Sequence, residues 1–293
     1  MSPVPFRLPG PTEIGGALRR RLEKLAFRLG GDRLRERLAA LRVHTNEFGQ
    51  DPFGMDLEYV TTALGPLLWL YQEYFRVQVR GIEKVPPGRC LLVANHSGQL
   101  PLDGAMIAVA MLMYAEPPRV VRSMVERWVP TLPFVSTFFA RAGQVVGTPE
   151  NCIRLLENEE CILVFPEGTR GLNKVFARRY QLAEFGQGFM RLALATGSPI
   201  VPIAVIGAEE QAPALVNLEP LARLLRMPAL PITPTILPIP LPSRYTIYFG
   251  EPMRFEGHPN DEDRVVEEKV LAVRSTIQSM VKVGLEERKR IYF

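Results

Sequence analysis

The stretch Cys90–Gly104, CLLVANHSGQLPLDG, decides how the chain is read. Cys90 to Ala94 is a short, uncharged apolar run, the pattern of a strand buried on both faces. It ends at Asn95-His96-Ser97-Gly98, so a histidine stands at the carboxyl end of a buried strand, where open α/β sheets bind ligands. Pro101 and Asp103 then lead into Ala105–Met113, an apolar run that reads as a helix. A His and an Asp therefore flank one strand-to-helix loop. A neutral imidazole can take a proton from a hydroxyl, and a carboxylate beside it can hold the tautomer and stabilise the imidazolium. Taken alone, the stretch is equally read as an isolated surface histidine and a helix N-cap aspartate.

A second stretch changes that balance. Cys161–Arg170, CILVFPEGTR, is another buried-strand run that ends in Pro-Glu-Gly-Thr-Arg. Together with Val201-Pro202-Ile203, the two stretches resemble the glycerolipid acyltransferase family (lysophosphatidate acyltransferases and their relatives). The resemblance spans roughly Val77 to Ala208, and its third block, Phe165 to Arg170, matches residue for residue. It implies a general base at His96, oriented by Asp103, and acceptor binding by Glu167, Gly168, Thr169 and Arg170. It also implies an acyl donor that is a thioester of coenzyme A or of acyl-carrier protein, with no resident cofactor or metal. Glu167 has two readings, holding a glycerol hydroxyl or positioning its own loop. Arg170 is read as a phosphate ligand or as the partner of an acidic side chain.

The sequence departs from the family pattern twice. Six residues separate His96 from Asp103 where the family has four. A seven-residue step on a continuous helix spans about 10 Å, too far for contact. Pro101 breaks such a helix, so a looped insertion, Ser97 to Leu100, is expected to fold Asp103 back onto the imidazole. Aligning Gly143 and Asn151 on the second block places Pro149 where phosphate-binding members carry an arginine. Lys174, Arg178 and Arg179 are the candidate substitutes. Ser97 raises the alternative of a serine hydrolase, but the Gly-x-Ser-x-Gly elbow is absent and adjacent side chains on an extended chain point apart. A non-catalytic lipid-binding protein with a degenerate site is the other alternative.

Alternation of strand runs with helical runs predicts an α/β fold, a mostly parallel sheet flanked by helices and joined by right-handed crossovers. Strands are expected at Phe75–Gly81, Cys90–Ala94, Arg119–Arg122, Gly143–Gly147, the apolar start of Cys161–Arg170, Pro199–Ile206 and Tyr245–Phe249. Helices are expected over Asp56–Tyr74 (kinked at Pro66), Glu150–Glu159 with Thr148 as N-cap, Gln181–Ala195, Leu215–Leu225 and 262–288. The division is residues 1–55 as a basic helical segment with a turn-rich linker, and 56–293 as the acyltransferase domain.

Charge is uneven. Residues 1–43 carry a net +6 and the remainder −2, within a total of +4. Leu18, Leu22, Leu25 and Leu29 mark one face of a helix stopped at Gly30-Gly31, and Asp32 starts a second helix bearing Leu34, Leu38 and Leu41. With arginines on the other faces, the pair reads either as a membrane-surface element, where each basic residue contributes about 1 kcal/mol near anionic lipid, or as a packed hairpin with a solvated face. No aromatic platform accompanies the charge, which argues against nucleic acid as a partner. Trp69, Tyr71 and Tyr74 read as core or interfacial aromatics. The region 124–142, with Phe138-Phe139, reads as an acyl-chain groove or as helices covering the sheet. Residues 227–243, with six prolines and no charge, read as lipid-entry surface or flat packing. No uncharged stretch is long enough to span a bilayer, and no secretory leader is visible, so a cytoplasmic protein peripheral to a membrane is expected. Cys90, Cys152 and Cys161 form no CxxC and read as core thiols of a reducing compartment.

Overall fold

The computed structural model describes residues 11–41, 43, 45–96, 102–126, 135–168, 176–213, 216–217, 231–232 and 240–292. Seven strands form one sheet: β1 (Gln78–Arg80), β2 (Cys90–Ala94), β3 (Val121–Val125), β4 (Val145–Val146), β5 (Cys161–Val164), β6 (Ile200–Ile206) and β9 (Thr246–Phe249). Their order is β1-β9-β6-β2-β5-β3-β4, and β7 (Val216–Asn217) and β8 (Pro231–Ile232) make a separate short ribbon. β6, β2, β5, β3 and β4 run parallel, and the pair β9 and β1 runs the other way. This is the mostly parallel, helix-flanked sheet that the strand–helix alternation predicts.

Strand side chains alternate between two cores, as the pleat demands. Leu92 and Ala94 of β2, Leu163 of β5 and Val201, Ile203 and Val205 of β6 face one core. Leu91, Val93, Ile162, Ile200, Ala204 and Ile206 face the other. All seven residues of β6 and all five of β2 are buried, so these strands read as unbroken apolar runs.

The first core is roofed by α1 (Pro11–Ala39), α2 (Leu57–Trp69) and α3 (Leu102–Tyr114). The second is roofed by α5 (Pro149–Glu157), α6 (Gly188–Thr196) and α7 (Asp263–Glu287), the last burying Val266, Val270, Val273, Ile277 and Val281. A short helix, α4 (Val135–Arg141), precedes β4. Thr148 caps α5 by accepting from Asn151 N, with Pro149 at the first helical position.

The expected break in α1 falls at Gly31 (φ 58°), a conformation reserved for glycine. Its buried stripe differs from expectation: Ala26 and Leu34 are buried, Leu22, Leu25 and Leu29 are half-buried, and Leu18 is exposed. The cause lies in the neighbours. α1 crosses α2 so closely at Gly65 that a β-carbon there would sit 2.3 Å from Leu22 O. Two arginines assigned to the outer face turn inward as well. Arg33 Nε donates to Met113 O and Arg37 Nε to Leu112 O, and Arg37 also reaches Ala115 O. They satisfy the carbonyls that the end of α3 leaves unpaired, where a helix favours cations.

Other expectations shift. The run Gln181–Ala195 forms a helix only from Gly188, because Leu182 and Ala183 give their backbone groups to Gln278, Arg274 and Glu167. The strand placed at Arg119–Arg122 begins at Val121, since Arg119 is a buried bracket whose guanidinium caps Pro86 O, Gly88 O and Glu159 O. The first strand shrinks to Gln78–Arg80, because α2 continues into a π-helical turn, Leu70–Tyr74. Tyr71 is core, whereas Trp69 is 44% exposed. Cys90 and Cys161 are core thiols on paired strands, with Sγ atoms 3.3 Å apart. The helix expected at Leu215–Leu225 is corrected at Val216–Asn217, which pair as a strand with Pro231–Ile232 because extended backbone there finds a partner across the ribbon; the rest of that run lies outside the described residues. Residues 227–230 and 233–239 of the proline-rich run, and 127–134 of the candidate acyl groove, also lie outside them.

Candidate functional site

Three strand ends build the site. β2 carries His96 past its last paired residue, and Asn95 holds that exit in place. Its amide accepts from Val205 N (2.7 Å) and donates to Val205 O (3.0 Å), standing in for a peptide unit and extending the β2–β6 pairing by one rung. Asn95 is fully buried, so both bonds are made away from water. Sequence reasoning missed this clamp; the available signal was a lone polar residue ending a buried run.

Asp103 enters from the first turn of α3 and is fully buried. Its Oδ2 lies 2.8 Å from His96 Nδ1, and its Oδ1 accepts from Gly104 N (2.8 Å). The spacing of six is therefore compatible with contact, because α3 starts at Leu102 and His96 lies outside it. Residues 97–101, which include the expected insertion Ser97 to Leu100, lie outside the described residues. An ionised carboxylate only accepts, so this bond places the proton on Nδ1 and the lone pair on Nε2. The imidazole stacks on Phe165, ring centroids 4.2 Å apart, and its side chain is 11% exposed.

Phe165 is delivered by β5, whose register with β2 pairs Val93 with Val164. The turn after it brings Glu167 under the histidine. Glu167 is buried, with Oε1 accepting from His96 N (3.0 Å) and Oε2 from Ala183 N (2.8 Å). Of its two readings, these bonds describe the loop-positioning one: the carboxylate fastens His96 to the segment that follows the Phe-Pro-Glu turn. Gly168 closes that turn at φ 54°, with its N–H donating to Phe165 O. Thr169, Arg170 and Lys174 lie outside the described residues. Arg178 and Arg179 are exposed, and Arg179 lies 4.0 Å from the Glu210 carboxylate rather than beside His96. Pro149 sits at the start of α5, after β4 on the far flank of the sheet.

The arrangement is a His–Asp pair on a rigid shelf, with the ring angle set by a stacked aromatic and the backbone set by two anchors. It is suited to removing a proton from a hydroxyl held against Nε2.

The family model described as Acyltransferase matches residues 76–206. Uncharacterised proteins of Mycobacterium tuberculosis and Mycobacterium leprae are 38% identical over 273 residues, covering 89% of this chain and 74% and 72% of theirs. A Mycoplasma pneumoniae protein described as a probable 1-acyl-sn-glycerol-3-phosphate acyltransferase is 28% identical over 150 residues, 48% of this chain and 53% of that protein. The crystal structure of the 1-acyl-sn-glycerophosphate acyltransferase PlsC from Thermotoga maritima superposes with a TM-score of 0.52, at 19% identity over 80% of each chain. That likeness shows a shared fold.

Proposed function

The chain belongs to the glycerolipid acyltransferase family, and from that premise we propose that it moves a fatty acyl chain from a thioester, acyl-CoA or acyl-carrier protein, to the hydroxyl of a lysophospholipid or other glycerolipid. The observation that carries the reading is the 2.8 Å contact between His96 Nδ1 and the buried Asp103 carboxylate.

In this mechanism the acceptor hydroxyl hydrogen-bonds to His96 Nε2. As its oxygen attacks the thioester carbonyl carbon, the proton passes to Nε2 and a tetrahedral intermediate forms. Asp103 stabilises the imidazolium across the Nδ1 bond. The intermediate collapses by breaking the carbon–sulfur bond, and the departing thiolate takes the proton from Nε2, restoring the base. No acyl-enzyme forms, so no serine or cysteine nucleophile is needed. Asn95 and Glu167 keep the histidine backbone fixed while its ring cycles between charge states.

On this reading Arg170 and the Gly168–Thr169 backbone receive the acceptor headgroup, and residues 56–293 form the catalytic domain. Residues 1–55 contribute a basic accessory that meets a membrane on its cytosolic face. Exposed Leu18 with Arg20, Arg21 and Lys24 on α1 supports a membrane contact, since such a face suits anionic headgroups. Among the described residues no helix is long and apolar enough to cross a membrane. The acceptor named for the Mycoplasma relative, a 1-acylglycerol 3-phosphate, is one candidate, and Pro149 in place of an arginine makes headgroup choice the property to measure.

The test is transfer of a radiolabelled long-chain acyl group from each donor type, with lysophosphatidate, lysophosphatidylcholine and diacylglycerol as acceptors. The reading expects label in an acylated acceptor. Label appearing only as free fatty acid identifies a hydrolase, and no turnover of either donor by folded protein identifies a lipid-binding scaffold.

A further inference from the structure

A cavity of about 500 Å³ lies away from the His–Asp pair, between the loop that follows β6 and the carboxyl-terminal tail. Its wall carries Arg179, Tyr180, Glu210, Arg288, Lys289 and Arg290, four cations against one carboxylate. That volume is in the range of small-molecule sites. The tail is fastened: Arg244 N donates to Ile291 O, Ser243 bridges Tyr292, and Tyr292 Oη donates to Glu210 O. Arg288 and Glu210 act as the fixed frame. Arg288 donates to Glu210 Oε1 (2.7 Å) and Arg290 O, and Tyr180 Oη joins Glu210 to Gly207 N. Lys289 and Arg290 differ. Both are exposed, and neither has an ion-pair partner among the described residues. The frame thus holds two uncompensated cations, with Arg179 opposite, around a concavity edged by the exposed apolar side chains Leu285 and Ile291.

The position of the cavity indicates which ligand it suits. His96 follows β2, near the middle of the sheet. On one flank, β5 leads to Glu167 and Gly168 and β4 to Pro149; on the other, β6 leads to Gly207 and Glu210. These strands run parallel, so all of these residues lie beyond the same edge of the sheet. Acyl transfer brings two substrates to one base from different directions. On the proposed function, on which this inference rests, the acceptor headgroup occupies the β5–β4 flank, leaving the β6 flank to the donor. Coenzyme A carries its phosphates at the end of a long flexible arm, which places a phosphate site some way from the thioester. Its adenine ring suits an apolar edge beside cations.

We propose that the cavity between the β6 loop and the tail binds the phosphorylated end of the acyl donor, a coenzyme A thioester, with Lys289, Arg290 and Arg179 contacting its phosphates. The experiment is calorimetric titration of coenzyme A into the full chain, the Lys289→Ala/Arg290→Ala double variant, and an Arg254→Ala/Arg264→Ala control that removes the same charge elsewhere. Both replaced residues are exposed, and circular dichroism checks folding. The expected result is affinity about tenfold weaker in the double variant, with the control matching wild type. In turnover, the Michaelis constant for acyl-CoA should rise while kcat changes little. Equal affinity in wild type and double variant would overturn the proposal, as would a wild type that binds no coenzyme A. So would loss of binding to anionic phosphatidylglycerol vesicles with coenzyme A binding retained, which marks a membrane contact. Binding needs no turnover, so the two readings separate. A chain that uses only acyl-carrier protein and ignores coenzyme A retains the proposed function and loses this site. One that binds coenzyme A through these residues without transferring acyl groups does the reverse.

Discussion

His96 is held by Asp103, Phe165 and Glu167, with Asn95 fixing the strand exit before it, and each of these supports can be removed singly. Asp103→Asn keeps the size of the side chain, but its amide can present an N–H to Nδ1 and favour the wrong tautomer. Acyl transfer is expected to fall about 10²–10⁴-fold with donor and acceptor affinities little changed, measured as kcat in a thiol-release assay. Glu167 makes a sharper test, because its two roles predict different kinetics. Its carboxylate accepts from His96 N and Ala183 N, so Glu167→Gln sets an amide N–H against one of those donors. As a positioning residue it should lower kcat and leave the acceptor Michaelis constant near wild type; as a ligand of the glycerol hydroxyl it should chiefly raise that constant. His96, Asp103 and Glu167 were visible in the sequence because motif and strand end coincide. Asn95 was not recognised, since pairing with Val205, 110 positions away, depends on which strand becomes the neighbour of β2. That information is not local.

At the scale of elements, the helices on the first core are held by close approach and by charge at helix ends. Gly65→Ala would push a methyl group into the Leu22 carbonyl, and overpacking of this kind costs about 1–3 kcal/mol. The measurement is a urea denaturation midpoint, and an unchanged midpoint would mean that α1 does not pack on α2 at this distance. Arg37→Met would leave the carbonyls at the end of α3 without their donors, a loss of about 1–3 kcal/mol in the same assay. Because α3 carries Asp103 at its other end, activity should become more heat-sensitive too. These two residues also show where periodicity stops being informative. The leucine spacing located α1 and the Gly30-Gly31 pair located its break, but an arginine on a polar face reads as solvated until a helix end is found beside it. Likewise, Gln181–Ala195 reads as one helix, yet its first residues are not helical because their backbone groups have partners in α7 and Glu167.

At the scale of the whole molecule, the strand order places the candidate site. The parallel strands β6, β2, β5, β3 and β4 end along one edge, so residues far apart in sequence meet there, and the two-sided core keeps that edge rigid. The linker before α2 is tied to this frame through a buried ion pair between Asp51 and Arg122, each side chain 2% exposed. Arg122 Nη1 also lies 3.2 Å from Met55 Sδ. Asp51→Ala would take the nearer carboxylate from a buried guanidinium, leaving it Glu160 at 3.7 Å, and should destabilise the fold by about 1–3 kcal/mol, read from thermal unfolding. Parallel order was legible from alternating strands and helices, whereas the reversal at β9 and β1 was not, because a strand sequence does not encode its direction. The account rests most heavily on His96 acting as the base in acyl transfer. The direct measurement is acceptor-dependent thiol release from the preferred acyl thioester, comparing wild type with His96→Ala. The account predicts release that requires acceptor and falls about 10²–10⁴-fold in the variant; acceptor-dependent release that persists at the wild-type rate in His96→Ala would contradict it.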